Sequence, residues 1–251
     1  MFKLFKNKLF LGSLILVVSV ACNAGTTKNG VNSVVLTKTT DVPLTYLLPS
    51  PSIDGEISVE KTMANRRSQR RYQDRELSAE QLSQILWAAY GVTLPNTDRA
   101  FLRGGFRTTP SAGGLYPFDI YVAIGKVKGI EPGVYKFISD EHKIVQTIDH
   151  DMRKDLRAAA LGQAMVEEAP VVLVYSAIFS RMTGKYGDRG RERYVCIDLG
   201  HSAQNVYLQA EALRLGTCAI GAFVDDKVSA VLQLSQEEEP LYLMPVGYTI
   251  K

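Results

Sequence analysis

The stretch "NRRSQRRYQD", residues 65–74, places Arg66, Arg67, Arg70 and Arg71 within six positions, broken only by Ser68 and Gln69. Guanidinium groups form bidentate, charge-assisted hydrogen bonds to phosphate oxygens, and a serine hydroxyl adds one more donor. The run could therefore cradle a phosphate. It could equally be a solvated helix end whose arginines pair with Asp74 and Glu76. "TTPSAGGLYPFDIYV", residues 108–122, sets two adjacent glycines, an aromatic residue and a proline directly before a strand, which lets backbone approach a flat ligand closely. A plain structural turn has the same composition. "DLGHSAQNVYLQAEALRLGTCAIGAF", residues 198–223, opens a helix with polar groups that burial alone does not require. "KYGDRGRERYV", residues 185–195, reads as a basic loop with two glycines.

Other chemistries find no support. No GxGxxG follows a strand and no GxxxxGK[ST] occurs, so neither the dinucleotide fingerprint nor the P-loop is present. His142, His150 and His201 are scattered and no cysteine has metal-ligand spacing, so no metal is expected. No side-chain nucleophile stands beside an evident base. Lysine and arginine number 29 against 26 acids, and Lys3, Lys6 and Lys8 supply the whole excess of +3. The remaining chain is balanced, which argues against a broad basic surface for nucleic acid.

The elements that must position these motifs read as one α+β domain over residues 51–251. A helix starts at the Ser78 cap, with Gln81 three residues on and an apolar stripe of Leu82, Ile85, Leu86 and Ala89, and Gly91 closes it. "FDIYVAI" is a strand, and "GVYKF" and "KIVQTI" are two more joined by a polar turn. "DMRKDLRAAALG" is a short helix. "PVVLVYSAI", residues 170–178, suits a central strand buried on both faces. A long helix follows from about Arg193 to Leu215. "CAIGAFV" and "LYLMPVGYTI" are the last strands, separated by a helix begun at Asp225 or Asp226. Cys196 and Cys218 each lie in an apolar segment and are expected to be buried free thiols.

Residues 1–21 read as an export signal: three lysines, the apolar run "LFLGSLILVVSV", then small residues before Cys22. "SVAC" is similar to a bacterial lipobox, in which Cys22 is lipidated and anchors the protein to a membrane. Residues 22–50, rich in Thr, Asn, Gly and Ser, are expected to be a flexible tether.

Taken in order and spacing, "RRSQRRY", "PSAGGLYPF", "GHSAQNVYLQAEALRLGTCAIGAF" and "LMPVGY" resemble the FMN-dependent nitroreductase superfamily, and most of all its SagB-type dehydrogenase branch. The resemblance covers residues 46–250. It implies a nitroreductase-like fold with a central mixed sheet flanked by helices, and a homodimer with shared FMN sites. It places Arg66, Arg67, Ser68 and Arg70 on the FMN phosphate and the pyrimidine side of the ring, with Arg71 facing outward. Pro110, Ser111, Ala112, Gly113, Gly114 and Leu115 form the turn that the opposite subunit supplies. Ile220, Gly221 and Ala222 lie beside flavin N5, where many nitroreductases carry an acid in place of Gly221. Arg70 is the leading cation for the reduced ring and Arg107 the second. The tail after "GY" is short, leaving Lys251 as its cation.

The activity implied is hydride transfer through flavin N5 to or from a small-molecule or peptide substrate, the cofactor supplying reactivity and the protein position and electrostatics. A flavin-binding protein without turnover and a surface interaction module are the alternatives. Export separates the domain from cytoplasmic NAD(P)H and leaves its electron donor open.

Overall fold

The computed structural model describes residues 43–95 and 102–250. The export signal, Cys22, most of the tether and Lys251 lie outside the described residues. In chain order the elements are β1 (Thr45–Leu47), α1 (Val59–Asn65), α2 (Ala79–Tyr90), a small hairpin of β2 (Val92–Leu94) and β3 (Phe106–Arg107), β4 (Phe118–Ile124), β5 (Gly133–Ile138), β6 (Lys143–Ile148), α3 (Arg153–Ala159), α4 (Met165–Glu168), β7 (Val171–Ala177), α5 (Ser180–Tyr186), α6 (Val195–Ala212), β8 (Gly216–Thr217), α7 (Asp225–Leu232) and β9 (Glu239–Gly247).

Seven strands make one sheet in the order β1-β6-β5-β4-β7-β9-β8. Its strand pairs are antiparallel, and isolated parallel bridges join Ser68 to Thr217 at the β8 edge and Leu77 to Val127. All seven residues of β7 are buried. Side chains alternate across a strand, so Val171, Leu173, Tyr175 and Ala177 join the core under α2 and α6, while Val172 and Val174 join the core under α3, α4 and α7. The two-sided burial explains why this run is apolar at nearly every position, Ser176 excepted, instead of alternating.

Local chemistry sets the helices. Ser78 Oγ accepts the Gln81 N–H and Gln81 Oε1 accepts the Ser78 N–H, a reciprocal cap worth about 1 kcal/mol. Gly91 caps the end of α2 with extended backbone, and the position requires glycine because a Cβ there would fall 2.3 Å from Trp87 Cδ1. In α6, Val195, Leu199, Ser202, Ala203, Val206 and Ala210 form the buried stripe. Ser202 ties α6 to both neighbours, donating to the Ala89 carbonyl at 2.6 Å and sharing a 2.8 Å hydrogen bond with the Tyr175 hydroxyl.

The structure departs from the sequence expectations at four places. Residues 185–195, read as a basic loop, are helical nearly throughout, running from the end of α5 through a π-helical turn at Gly190–Tyr194 into α6. Thr45–Leu47, inside the segment read as tether, pairs with β6, and Leu48 is buried. Cys196 is exposed, because it falls between the buried Val195 and Leu199 on the outward phase of α6; Cys218 is buried, and both are free thiols. "CAIGAFV" is not a continuous strand. After β8, Ile220 exchanges two backbone hydrogen bonds with Leu243 at 2.9 and 3.0 Å, and residues 221–224 then leave the sheet for α7.

Candidate active site

The arginine run begins where α1 stops. Arg66 is the C-cap of α1 and stands over the Tyr207 ring at 5.3 Å. From there the chain is zipped onto the sheet edge. Gln69 N–H donates to the Thr217 carbonyl at 2.9 Å, Gln73 N–H to Tyr248 at 2.8 Å, and Ile250 N–H to Arg71 at 3.2 Å. The buried Tyr72 anchors the middle, its hydroxyl donating to Gln69 and Pro245 carbonyls at 2.9 and 3.1 Å. Burial, followed by the neighbouring Cys218, pushes the Tyr72 phenol well above its ordinary pKa, so it stays a donor.

This anchoring leaves the arginines at the surface of a fixed backbone. Among the described residues no carboxylate lies within ion-pair distance of Arg66, Arg67, Arg70 or Arg71. Asp74, a partner that the solvated-end reading offered them, is instead engaged by Lys126. Arg67 turns back onto the carbonyls of Ala64 and Arg66 at 3.1 and 2.8 Å.

Tyr207, which was not singled out in the sequence, joins the run to the segment carrying Ile220, Gly221 and Ala222. Its hydroxyl accepts the Ala219 N–H at 2.8 Å and shares a 3.1 Å hydrogen bond with Ser68 Oγ. Ser68, the arginines and residues 219–222 therefore converge on one edge. Gly221 and Ala222 are exposed there, and Ile220 is buried behind them.

The Pro110–Leu115 turn is elsewhere. Ser111 donates to Asp198 Oδ2 at 2.6 Å, the Ala112 N–H reaches the same carboxylate at 3.2 and 3.3 Å, and Ser111 Oγ accepts the Tyr116 N–H at 2.9 Å. Burial raises the pKa of Asp198 even against these hydrogen bonds. Gly113 has φ +65°, and a Cβ there would lie 2.7 Å from the Tyr186 hydroxyl, so two requirements converge on glycine. Asp198 and Tyr207 stand nine residues apart on α6, which is about 13.5 Å of rise and about two and a half turns, placing them on opposite sides of the helix. The structure thus brings the 66–70 and 220–222 motifs together within one chain and keeps the 110–115 turn apart from both.

Arg107 is committed elsewhere. Its guanidinium donates to the Tyr90 carbonyl at 3.0 Å, to Ser139 Oγ, and to Asp140 at 3.2 Å, with the Tyr90 and Tyr116 rings at 4.6 and 5.0 Å. A groove of about 870 Å³ lies between residues 50–59, α2 and the second half of α6, lined by Ser52, Gln84, Trp87, Asn205 and Gln209 among others. It holds none of the expected cofactor residues. Two other links place its walls: Gln84 bonds both backbone groups of Ser52, at 2.8 and 3.0 Å, and Asn205 donates to the Thr108 carbonyl at 3.0 Å.

Residues 63–248 match the nitroreductase family, and the chain belongs to it as an oxidoreductase. A Methanocaldococcus jannaschii protein carrying a nitroreductase name is 46% identical over 201 residues, covering 80% of this chain and 96% of its own length. A solved structure of a nitroreductase-type protein from Anabaena variabilis superposes with TM-score 0.70 at 27% identity, covering 83% of this chain; the chain spans 42% of that protein. One from Ralstonia eutropha gives 0.69 at 29%, covering 82% and 90%. The Escherichia coli microcin synthetase McbBCD complex with truncated pro-MccB17 shares the fold, with TM-score 0.61 at 21% identity over 90% of this chain and 85% of that one.

Proposed function

We propose that this chain is an FMN-dependent oxidoreductase working as a homodimer, each flavin held by the 66–70 and 220–222 edge of one copy and the 110–115 turn of the other. The observation that carries the reading is the arginine run itself: cations fixed on a zipped backbone, without carboxylate partners, beside a serine hydroxyl and an exposed glycine segment. That donor set fits a phosphate attached to a flat ring. FMN when bound would supply hydride exchange at N5. The chain's own part is positioning. Arg66, Arg67 and Ser68 would hold the phosphate, and Arg70 would lend positive charge to the ring's pyrimidine side. The Tyr207 hydroxyl would keep Ser68 and Ala219 in register.

Sharing between copies is supported by the separation of the two motifs across α6. It is supported also by apolar side chains left facing solvent, Ile53 at 86%, Val59 and Met63 at 57% and Ile197 at 50% exposure. The substrate in this reading is a small electrophile, or a ring or C–C bond that is dehydrogenated, as the SagB-type resemblance suggests. Residues 1–22 would deliver the domain outside the cytoplasm on a lipidated Cys22.

Titration of the full chain with FMN, followed by flavin fluorescence, tests the cofactor; a chain that binds none sinks the reading. Mixing tests the sharing. A copy carrying Arg66→Ala with Arg70→Ala and a copy carrying Gly113→Val are each expected to bind poorly. Mixed and refolded together, they regain one intact site per mixed dimer. No recovery on mixing would place each site within one chain. Reduction by NADH, NADPH or dithionite then identifies the class of donor.

A further inference from the structure

We propose a second ligand site in this protein, a pocket for a small oxyanion, phosphate or carboxylate, under the 102–107 loop and between β4, β5 and α5. The cavity there has a volume of about 290 Å³. Its walls carry four cations, Arg103, Arg107, Lys136 and Arg181, against two carboxylates, Asp119 and Asp140. Asp119 serves three of the cations at once. Arg181 grips it with two nitrogens at 2.7 and 3.2 Å, Lys136 reaches it at 2.7 Å, and Arg103 stands at 3.7 Å. Arg107 takes Asp140. Glu238, at 3.8 Å from Lys136, adds only a distant third acid.

Two features show that this charge is under-neutralised. The Arg107 side chain is only 5% exposed, yet its Nε has no hydrogen-bond partner among the described residues. A buried guanidinium N–H without an acceptor is costly, and proteins rarely leave one without reason. Arg103 is the second. Its guanidinium has one carbonyl, that of Tyr116, at 3.3 Å, and its side chain is 46% exposed at the edge of the cavity, so donors remain free to turn inward. The local field agrees. Burial opposes ionisation of Asp119, yet the hydrogen bonds and charges of Arg181 and Lys136 overcome it and hold the carboxyl at about 2. Burial and then the nearby Arg181 depress the pKa of Arg103. An entering oxyanion would relieve that crowding and accept the spare donors in the planar, bidentate manner that arginine favours.

The pocket is separate from the proposed flavin residues, since none of residues 66–71, 110–115 or 220–222 lines it, although the Arg103 N–H donates to the Gly114 carbonyl at 3.4 Å. Inorganic phosphate and acetate are the probes, each titrated into the full chain by calorimetry with FMN in excess, so that the 66–70 run is already filled. Saturable binding of either anion is expected. Arg103→Gln should weaken it by about tenfold, the loss of one charge-assisted contact, and Arg103→Lys should retain most of it. This half-exposed residue can be changed without unseating the Arg181 to Asp119 pair. Asp119→Asn should tighten binding by removing the competing carboxylate, while Arg66→Ala should leave it unchanged. Absence of saturable binding of either anion would overturn the proposal, as would binding that ignores Arg103→Gln or disappears in Arg66→Ala.

Discussion

Two arginine clusters in this molecule differ in what neutralises them. Arg66, Arg67, Arg70 and Arg71 are contiguous in sequence, exposed or half-buried, and without carboxylate partners among the described residues. Arg103, Arg107 and Arg181, with Lys136, come from three separate segments and close around Asp119 and Asp140. The first cluster crowds more charge into fewer positions and, among the described residues, makes no ion pair that ties elements of the fold together. The second is invisible as a cluster in the sequence and ties β4, β5, α5 and the 102–107 loop together. Density of charge along a chain thus says less about its role than the presence of an internal acid.

The sharpest way to break this contrast is Arg66→Ala combined with Arg70→Ala. Each charge-assisted contact contributes about 1.5–3 kcal/mol, so FMN affinity should fall by about a hundredfold or more in fluorescence titration, while the melting temperature of the FMN-free protein barely moves. A large loss of stability would place these arginines in the scaffold. Asp119→Ala is the converse. It strands Arg181 and Lys136 and should cost about 3–5 kcal/mol in urea unfolding; an unchanged midpoint would remove the structural role.

Acid supplies a finer version of the same contrast. Asp119 titrates at about 2 in the folded chain against an ordinary 3.8. Because its folded value is depressed, its ion pairs contribute fully above pH ~4 and are lost as pH falls from about 4 to about 2, an effect of ~2 kcal/mol. Stability measured across that range should slope less in Asp119→Asn than in the parent, and equal slopes would count against it. Tyr207→Phe removes one hydroxyl from two hydrogen bonds and should cost about 1–2 kcal/mol with a several-fold loss of FMN affinity. Ser111→Ala, at the other end of α6, should cost about 1 kcal/mol through the turn. Thermal melts read both.

What could be seen in the sequence was local. The Ser78 and Gln81 cap is a three-residue pattern, and β7 announces itself by seven apolar or small residues in a row. The arginine run was visible for the same reason. What organises it was not, since Tyr207 lies 139 residues from Ser68 and a tyrosine in a helix reads as packing. Asp198, 87 residues from Ser111, was hidden likewise. Cys196 was misplaced because neighbours one residue apart on a helix face different ways. β1 was missed because three residues in a Thr-rich stretch carry no periodicity of their own, and β6 provides the pairing.

The zipper between residues 69–73 and residues 248–250 has a consequence for how the protein is made. The arginine run emerges well over a hundred residues before its backbone partners Thr217, Tyr248, Thr249 and Ile250. Contacts of such long sequence separation form late. The edge on which the candidate cofactor residues converge therefore closes only once segments far apart in the chain have met, so a change in the 248–250 segment would loosen the arginine run without touching an arginine.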